Sequence, residues 1–409
     1  MRNEKTASVG DSPLWVRLFP IVLILSVDYI GFNMMLPMIP FYAKKYDADT
    51  VTIGLLFSIY AVCQLVASPI LGSLSDRYGR KRVLLLSQLG TLASFILMFF
   101  ADSLAPLFLA RALDGLTGGN VSLALAHMVD VSKPHEKTTA LGQQIFANGV
   151  GLLLGAALAG SVFAVDTRYP ALIAAGFSLL SILTTIFLLK DQSKPKAALV
   201  NPAAKSPGKL AIISWKTAPF IVCLACYHLI WGLYYTGIGV FCAQRFASEF
   251  GAAQSGFLYS YMGIYVIAFP VLLLPFLVRR LGDKKIVRLT FATTAASLAL
   301  LSLVPSWIHV LAIVPLIHFG TIPLRPAMVS IFSSSVDKGR QGLALGLNQS
   351  LVALGAIIGP IIGGAILKTG ESVWWPMVPS ALALVGLVIS LVYIREKPQL
   401  SPIPQDSSP

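Results

Sequence analysis

The stretch Gly72-Ser-Leu-Ser-Asp-Arg-Tyr-Gly-Arg-Lys-Arg82 is a short, basic loop punctuated by glycine. Apolar runs flank it, Ile53 to Leu71 upstream and Val83 to Ala101 downstream. Each run is about long enough to cross the ~30 Å hydrocarbon core of a bilayer as a helix. Lys and Arg are in excess in cytoplasmic loops of membrane proteins, and they make up most of the second half of this stretch. The stretch therefore predicts a charged cytoplasmic turn between two membrane helices.

The composition places the whole chain in a membrane. Of its 409 residues, 56% are hydrophobic and only 12% are charged, whereas a soluble domain carries about 25% charged residues. The formal net charge is +13, but most of the Lys and Arg residues fall in segments that a twelve-span topology places on the cytoplasmic side. The positive charge therefore indicates orientation and excludes nucleic acid as the expected partner.

Twelve apolar runs are long enough to be membrane spans, and an even number places both termini in the cytoplasm. The predicted spans are 14–38, 52–74, 83–101, 104–127, 139–163, 170–189, 217–242, 253–277, 286–304, 307–332, 341–367 and 373–394. Residues 191–216 are rich in Lys, Pro, Ala and Ser and predict a flexible cytoplasmic linker. The linker separates an N-terminal half, 1–190, from a C-terminal half, 217–395. Residues 396–409 predict a disordered cytoplasmic tail.

The two halves repeat each other. Glycine or alanine recurs every four residues in the fifth span and again, 204 residues later, in the eleventh. A degraded copy of the opening loop, 279–285, lies between spans eight and nine. Small residues let helices approach closely, so we expect these faces to form a sliding seam between the halves. The packing residues are Gly151, Gly155, Gly355, Gly359, Pro360 and Gly363. The prediction is an all-α membrane protein of twelve transmembrane helices in two six-helix pseudo-repeats, a transporter architecture.

Four charged residues lie well inside predicted spans, where a charge costs ~2.5–3.5 kcal/mol even on insertion scales. Asp28 and Arg111 lie at similar depths, and Asp114 shares a helix face with Arg111. We predict a proton-coupling cluster of Asp28, Arg111 and Asp114; the alternative is a structural salt bridge. Arg325, between two prolines, is either a substrate contact or a side chain that snorkels to the cytoplasmic interface.

Aromatic and amide side chains inside the spans are candidates for binding substrate. An aromatic wall suits an amphiphilic organic ligand, although helix packing or an interfacial aromatic belt also accounts for such residues. The predicted substrate-binding residues are Asn33, Gln64, Asn120, Asn148, Tyr234, Tyr235, Tyr261 and Arg325.

The opening loop resembles the signature of the major facilitator superfamily. The pattern Gly72-x-Leu74-x-Asp76-Arg77-x-Gly79-Arg80-Lys81-Arg82 matches its defining positions. The glycines of the eleventh span resemble the antiporter motif of the drug:proton branch, which includes tetracycline and multidrug exporters. In the family that motif lies on the fifth span, where this chain has Ala156 in place of proline. The resemblance implies a conformational latch formed by Gly72, Asp76, Arg77, Gly79 and Arg80.

Together these features predict a proton-coupled exporter of amphiphilic small molecules that works by alternating access. We expect a monomer in a bacterial inner membrane, with protons, a small-molecule substrate and lipid as its partners. The chain lacks a G-x4-G-K-[ST] nucleotide loop, and we expect no cofactor, no metal and no enzymatic activity. The alternatives are a metabolite or siderophore carrier that imports, and an intramembrane enzyme or lipid-handling protein, which would require a metal or nucleophile cluster that the sequence does not show.

Overall fold

The computed structural model describes residues 13–133, 136–189, 215, 217–336 and 340–394, and its regular structure there is helical. The predicted linker 191–216, apart from Trp215, and the predicted tail 396–409 lie outside the described residues. The helices of the first half are α1 (Leu14–Met35), α2 (Ile39–Lys44), α3 (Thr50–Tyr78), α4 (Arg80–Phe99), α5 (Leu104–Thr117), α6 (Asn120–Val131), α7 (Lys137–Phe163) and α8 (Tyr169–Leu188). Those of the second half are α9 (Ala218–Arg245), α10 (Ala252–Ala268), α11 (Leu274–Leu301), α12 (Trp307–Thr321), α13 (Leu324–Ser334), α14 (Gln341–Lys368) and α15 (Trp374–Tyr393).

These helices make twelve crossings. Ten stretches of the described residues are helices long and apolar enough to span a membrane. One of them, Ala252–Leu301, has 50 residues. It includes a π-helical turn after α10 and a non-helical residue, Gly282, within α11. At ~1.5 Å per residue it is long enough to cross twice. The remaining crossing is made by α5 and α6 together, whose apolar character is interrupted by charged residues.

Three crossings are broken where the sequence weakens a helix. The chain leaves α1 just before Pro37, leaves α5 at the pair Gly118 and Gly119, and leaves α12 just before Pro323. Proline lacks the backbone N–H that a continuing helix needs, and glycine has the largest conformational freedom to lose. The breaks put Arg111 and Asp114 near the end of α5, and Arg325 near the start of α13.

The basic opening loop is shorter than the sequence predicted. The helix α3 continues to Tyr78 and α4 begins at Arg80, so Gly79 alone interrupts the helices. Gly79 has φ 98° and Gly282, in the second copy of the loop, has φ 70°. A positive φ is accessible to glycine at little cost and is unfavourable for other residues. In each half, the chain therefore turns from the second crossing into the third at a single glycine.

The two halves touch mainly along two helix pairs. Within the halves, α1 packs on α7 and α8, and α9 packs on α14 and α15; across the halves, α3 packs on α14 and α7 packs on α10. Following the predicted orientation, we call the face that carries Asp49 and Lys368 the outer face. The face that carries Gly79 and Gly282 is the inner face.

Candidate transport site

A buried ion pair occupies the core of the first half. Nη1 of Arg111 lies 2.9 Å from Oδ2 of Asp114, and the two side chains are 3% and 4% exposed. The Tyr60 ring of α3 lies against the guanidinium, with its centroid 4.4 Å from Cζ of Arg111. Removing one partner from such a pair costs about 3–5 kcal/mol, because it leaves a buried charge without compensation. The salt bridge lies within α5, and the contact between Arg111 and Tyr60 joins α5 to α3.

Asp28 lies apart from that pair, beside polar groups of the neighbouring helices. Its Oδ2 is 3.5 Å from Nε2 of Gln88 in α4, and the same amide nitrogen donates to Oγ of Ser181 in α8 at 2.8 Å. Asp28 is half-buried and forms no ion pair with another described residue. A carboxyl group in this position is able to gain or lose a proton without breaking a salt bridge.

The predicted cluster of Asp28, Arg111 and Asp114 is thus divided into two parts. The structure brings Arg111 and Asp114 together, whereas it places Asp28 with Gln88. The reason is that Tyr60 covers the guanidinium, while the main neighbours of α1 are α7 and α8.

Asn33 and Tyr235 meet where the halves touch. The Tyr235 hydroxyl in α9 donates to Oδ1 of Asn33 in α1 at 3.4 Å. Asn33 is 1% exposed, and its Nδ2 donates to the Tyr29 carbonyl at 2.9 Å. The Tyr235 carbonyl accepts from the Tyr259 hydroxyl at 2.8 Å. Two of the predicted substrate residues therefore form one contact between the halves.

Tyr235 ends a chain of aromatic rings that runs through α10, α12 and α9. The ring centroids are 5.1 Å apart between Tyr261 and Tyr265, 5.8 Å between Tyr265 and His318, 6.5 Å between His318 and Trp231, and 5.1 Å between Trp231 and Tyr235. We call these five residues the aromatic wall. The wall brings Tyr235 and Tyr261, predicted as separate contacts, into one surface.

The remaining predicted substrate-binding residues do not belong to the aromatic wall, and each has different surroundings. Tyr234 is fully buried against His318. Gln64 donates to the Tyr60 hydroxyl and the Gly118 carbonyl, so its amide holds the first half together. Asn120 has a buried oxygen without a hydrogen-bond partner in the described residues, and Asn148 is half-buried.

Arg325 is exposed at the start of α13, and α13 packs on α9. His228 is bonded through Nε2 to Oδ1 of Asn348 in α14 at 3.0 Å. Sequence reasoning had missed Asn348, Gln88 and Tyr60, although the signal for Gln88 and Asn348 was present. Each is an amide inside an apolar run, as Gln64 is.

Contacts between α3 and α14 close the outer face, and we call them the outer seam. Lys368 Nζ lies 2.8 Å from Oδ2 of Asp49. The Thr50 hydroxyl donates to the Gly364 carbonyl at 2.6 Å, and deeper in the bilayer the Ser58 hydroxyl donates to the Ile357 carbonyl at 2.6 Å. These contacts join residues about 300 positions apart.

We expect Asp49→Asn to loosen the outer seam to a small extent. The hydrogen bond from Lys368 and the one from the Thr52 backbone N–H hold the pKa of Asp49 well below its usual range. The ionised pair is therefore kept as the pH falls through the usual carboxyl pKa of about 4, and is lost only at lower pH. Hydrogen–deuterium exchange of peptides 50–54 and 360–368 should rise about twofold to fivefold, since an exposed ion pair contributes little stability.

Asparagine still caps α3, so this variant isolates the charge. Salt should reproduce the effect in the parent chain by screening the pair. Unchanged exchange in Asp49→Asn would mean that the ion pair does not hold the face closed.

The family is decided by a comparison of the whole chain. A family model described as Major Facilitator Superfamily matches residues 21–322 and 271–408. The chain belongs to the Major Facilitator Superfamily. It is therefore a multi-pass membrane carrier and not an enzyme.

Curated relatives within the superfamily are named as resistance proteins. The chain is 28% identical over 397 residues to the tetracycline resistance protein, class H, of Pasteurella multocida, covering 92% of this chain and 96% of the relative. It is 25% identical over 397 residues to the quinolone resistance protein NorA of Staphylococcus aureus, covering 95% and 98%. It is 24% identical over 378 residues to multidrug resistance protein 2 of Bacillus subtilis, covering 91% and 93%.

Solved structures share the fold. The nucleoside transporter NupG matches with a TM-score of 0.77 and 15% identity over 93% of this chain and 99% of its own. The human organic anion transporter MFSD10 (TETRAN) matches with a TM-score of 0.68 and 19% identity over 93% and 100%. At these identities the likeness concerns the fold alone.

The superfamily loop is tied to the fourth crossing of its own half. Arg80 lies 2.7 Å from Asp76 and 3.1 Å from Asp130 at the end of α6, and its Nη1 donates to the Ser75 hydroxyl. In the second half, Ser330 of α13 donates to Asp283 at 2.6 Å. The two loops therefore occupy equivalent positions, and each is bonded to the fourth crossing of its own half. Of the other predicted latch residues, Gly72 has open space around its Cα and Arg77 lies over the Tyr78 ring.

The glycines predicted to form a sliding seam pack within the halves, although their helices α7 and α14 also contact the opposite half. A Cβ on Gly151 or Gly155 would meet Tyr29 or Ile30 of α1, and one on Gly355 or Gly359 would meet the backbone of α9. Gly363 likewise faces Trp375 and Leu233 of its own half. Glycine at these positions lets α7 approach α1 closely and lets α14 approach α9. Pro360 and Gly364 are exceptions in α14, because they meet Gly54 and Thr50 near the start of α3.

Proposed function

We propose that this carrier exports amphiphilic small molecules in exchange for protons, by alternating access. The observation that carries the proposal is Asp28, a half-buried intramembrane carboxyl group without an ion pair among the described residues. Intramembrane ionisable groups are costly and are by default functional. The names of the curated relatives, all resistance proteins, favour export over the import of a metabolite or siderophore.

In this proposal Asp28 carries the transported proton, whereas the Arg111–Asp114 pair, which lies apart from it, stays intact. Neutral Asp28 is compatible with a closed, dry arrangement, whereas ionised Asp28 favours an arrangement in which water or a substrate group reaches it. The outer seam must separate for the site to face outward. One exposed ion pair and a few hydroxyl–carbonyl bonds hold it, each of modest strength, so the seam can open during a transport cycle.

The same proposal includes the location and orientation of the chain. Lys and Arg are concentrated on the inner face, in the loops next to Gly79 and Gly282, which favours the cytoplasmic side of a bacterial inner membrane. Both termini then lie in the cytoplasm, and a single chain forms the transport unit.

Uptake into inverted membrane vesicles tests the proposal. A panel of fluorescent amphiphiles is measured with and without an imposed pH gradient, acidic inside, and with a protonophore added. Gradient-dependent accumulation of at least one compound supports proton-coupled export. Accumulation that ignores the gradient would contradict the coupling, and accumulation only under the opposite gradient would indicate import.

We expect Asp76→Asn to slow the transport cycle about twofold to fivefold while substrate affinity changes less than twofold. The change removes one of the two carboxylates that hold Arg80, and an ion pair with an exposed carboxylate contributes up to about 1 kcal/mol. Turnover is measured in proteoliposomes, and affinity by ligand binding in nanodiscs. Arg82→Gln, which removes an exposed basic residue of the same loop, is the matched control and should leave both values unchanged. A loss of affinity with normal turnover would contradict a latch.

A further inference from the structure

Gln88 connects Asp28 to α8 through one atom of its side-chain amide. Gln88 is fully buried in α4, and its Nε2 lies 3.5 Å from Oδ2 of Asp28 in α1 and 2.8 Å from Oγ of Ser181 in α8. Ser181 is also fully buried. The Nε2 atom carries two hydrogens, which is enough to donate to both neighbours. The amide therefore links three helices at the carboxyl group that is proposed to carry the proton.

The other end of the same amide has no partner. Oε1 of Gln88 is buried and accepts no hydrogen bond from the described residues. A buried polar atom without a partner is costly, and such atoms are rare in folded proteins. In this orientation the amide acts only as a donor. It suits an ionised Asp28, because a carboxylate accepts hydrogen bonds and donates none.

A protonated Asp28 requires the opposite orientation of the amide. Its O–H is a donor, and it would face the donor Nε2 unless the amide of Gln88 rotates by half a turn about its last side-chain bond. After the rotation Oε1 takes the place of Nε2, and its two lone pairs accept from Asp28 and from the Ser181 hydroxyl. The hydroxyl changes from acceptor to donor and keeps its own proton. The amide forms two hydrogen bonds in either orientation, so neither protonation state of Asp28 breaks the link.

The helices around Asp28 carry few other titratable groups. α1 packs on α6, α7 and α8, and α4 packs on α8. The other titratable residues of these helices are Arg17 and Tyr29 on α1, Arg80, Lys81 and Arg82 on α4, His127 and Asp130 on α6, Lys137 on α7 and Tyr169 on α8. The Tyr29 hydroxyl accepts from Gln144 of α7, and Asp114 of α5 is paired with Arg111. The hydrogen-bond partner that the structure gives Asp28 is therefore a neutral amide.

We propose that Gln88 is a positioning residue for the proton on Asp28. Its amide donates to the ionised carboxylate and reverses to accept from the protonated acid, and Ser181 reverses with it. The inference rests on the proposed role of Asp28 in transport and deepens it. Asp28 takes its proton from water and returns it to water, while Gln88 and Ser181 keep theirs and only rotate. α1 therefore keeps its contact with α4 and α8 while the proton is bound and released.

Infrared difference spectra between acidic and alkaline pH test the reversal in the full chain in lipid membranes. The C=O band of protonated Asp28 is identified by its loss in Asp28→Asn. The amide C=O band of Gln88 is identified by its loss in Gln88→Met, a change of similar size that removes both donor and acceptor. In the parent chain the amide band should shift to lower wavenumber at the pH where the carboxyl band appears, because Oε1 gains two hydrogen bonds. In Gln88→Met the carboxyl band should shift to higher wavenumber, because its O–H loses its acceptor.

Two serines of α8 provide matched variants that leave Gln88 in place. Ser181→Ala removes one of the two hydrogen bonds of the amide, so it should reduce the shift of the Gln88 band without abolishing it. Ser178 is also buried, and its hydroxyl donates to the main-chain carbonyl of Gln88 at 3.4 Å. Ser178→Ala therefore removes a contact between the same two helices but should leave both bands unchanged.

The spectra decide the inference independently of transport. An amide band that does not change when Asp28 is protonated would overturn it, because Gln88 would then act as a donor only. Equal changes in Ser178→Ala and Ser181→Ala would also overturn it, since they would indicate that α4 and α8 had merely loosened.

Proton-driven accumulation in inverted vesicles is measured separately. Gln88→Met should lower it about fivefold, which corresponds to the net contribution of one hydrogen bond, and should leave exchange without a gradient intact. Coupled carboxyl and amide bands in a parent chain that shows no gradient-driven accumulation would overturn the proposed transport function and leave the role of Gln88 in place. Accumulation with an unchanged amide band would overturn the role of Gln88 alone.

Discussion

Asp28→Asn abolishes accumulation driven by a pH gradient, with an expected loss of about a hundredfold, the lower end of what a positioned proton-transfer group contributes. Asparagine keeps the size of the side chain and its contact with Gln88 but binds no exchangeable proton at neutral pH. Substrate exchange across the membrane without a gradient should persist, since it requires no net proton movement. The measurement is accumulation and counterflow in the same preparation of proteoliposomes.

A matched change on the neighbouring acid distinguishes coupling from folding. Asp114→Asn leaves Arg111 buried without its one ion-pair partner among the described residues, which should destabilise the protein by about 3–5 kcal/mol. We therefore expect Asp114→Asn to lower the yield of folded protein and its unfolding temperature, whereas Asp28→Asn should fold normally. Normal accumulation in Asp28→Asn would remove Asp28 from the mechanism. Conservative Asp28→Glu should retain part of the coupling.

Gly54→Val forces the outer seam open. A Cβ at Gly54 would lie 2.3 Å from the Pro360 carbonyl oxygen. One helical turn away, a Cβ at Gly364 would lie 2.3 Å from the Thr50 carbonyl oxygen. Both obstacles are backbone atoms of the opposite half, so the helices have to separate. Overpacking of this kind costs about 1–3 kcal/mol. The protein should remain folded while the closed outer face becomes rare, and transport should fall about tenfold or more.

Hydrogen–deuterium exchange of peptides 50–58 and 357–368 measures the opening, and uptake into vesicles measures transport. Gly346→Val in α14 is the control, because a Cβ there meets nothing within 4 Å. Gly355→Val tests a clash within one half instead of between the halves. Its Cβ would lie 2.3 Å from the His228 carbonyl oxygen of the same half, so it should lower stability instead of opening the seam. If Gly54→Val and Gly355→Val behave alike, α3 and α14 do not form a moving contact.

Much of the fold was predictable because the bilayer imposes it. Hydrocarbon thickness sets the length of each apolar run. Because the membrane interior lacks water, the backbone N–H and C=O groups must form their hydrogen bonds within helices. The twelve crossings follow from these two constraints. The opening loop was recognisable for a local reason: Gly79 must adopt a positive φ between two helices, and its basic neighbours remain in water.

The candidate site was predictable in its residues and not in its partners. A charge or an amide in an apolar run is visible without knowledge of the fold, so Asp28, Arg111, Asn33 and Arg325 were named directly. Their partners come from helices distant in sequence, such as Gln88 for Asp28 and Tyr235 for Asn33. Which face of a helix meets which neighbour leaves little periodic signal when a helix is apolar on all sides.

The glycine stripes and the outer seam show which features are visible in the sequence and which require the tertiary structure. The repeat of small residues in α7 and α14 was evident, but only packing decides that they face α1 and α9 within the halves. Asp49 and Lys368 are ordinary surface charges in sequence and become a link between the halves in the structure. Sequence alone determined the family, the number of crossings and the intramembrane charges, since each follows from local chemistry in a bilayer. The tertiary structure decided which charge stands alone and which contacts must open, because these depend on helix pairs that lie hundreds of residues apart.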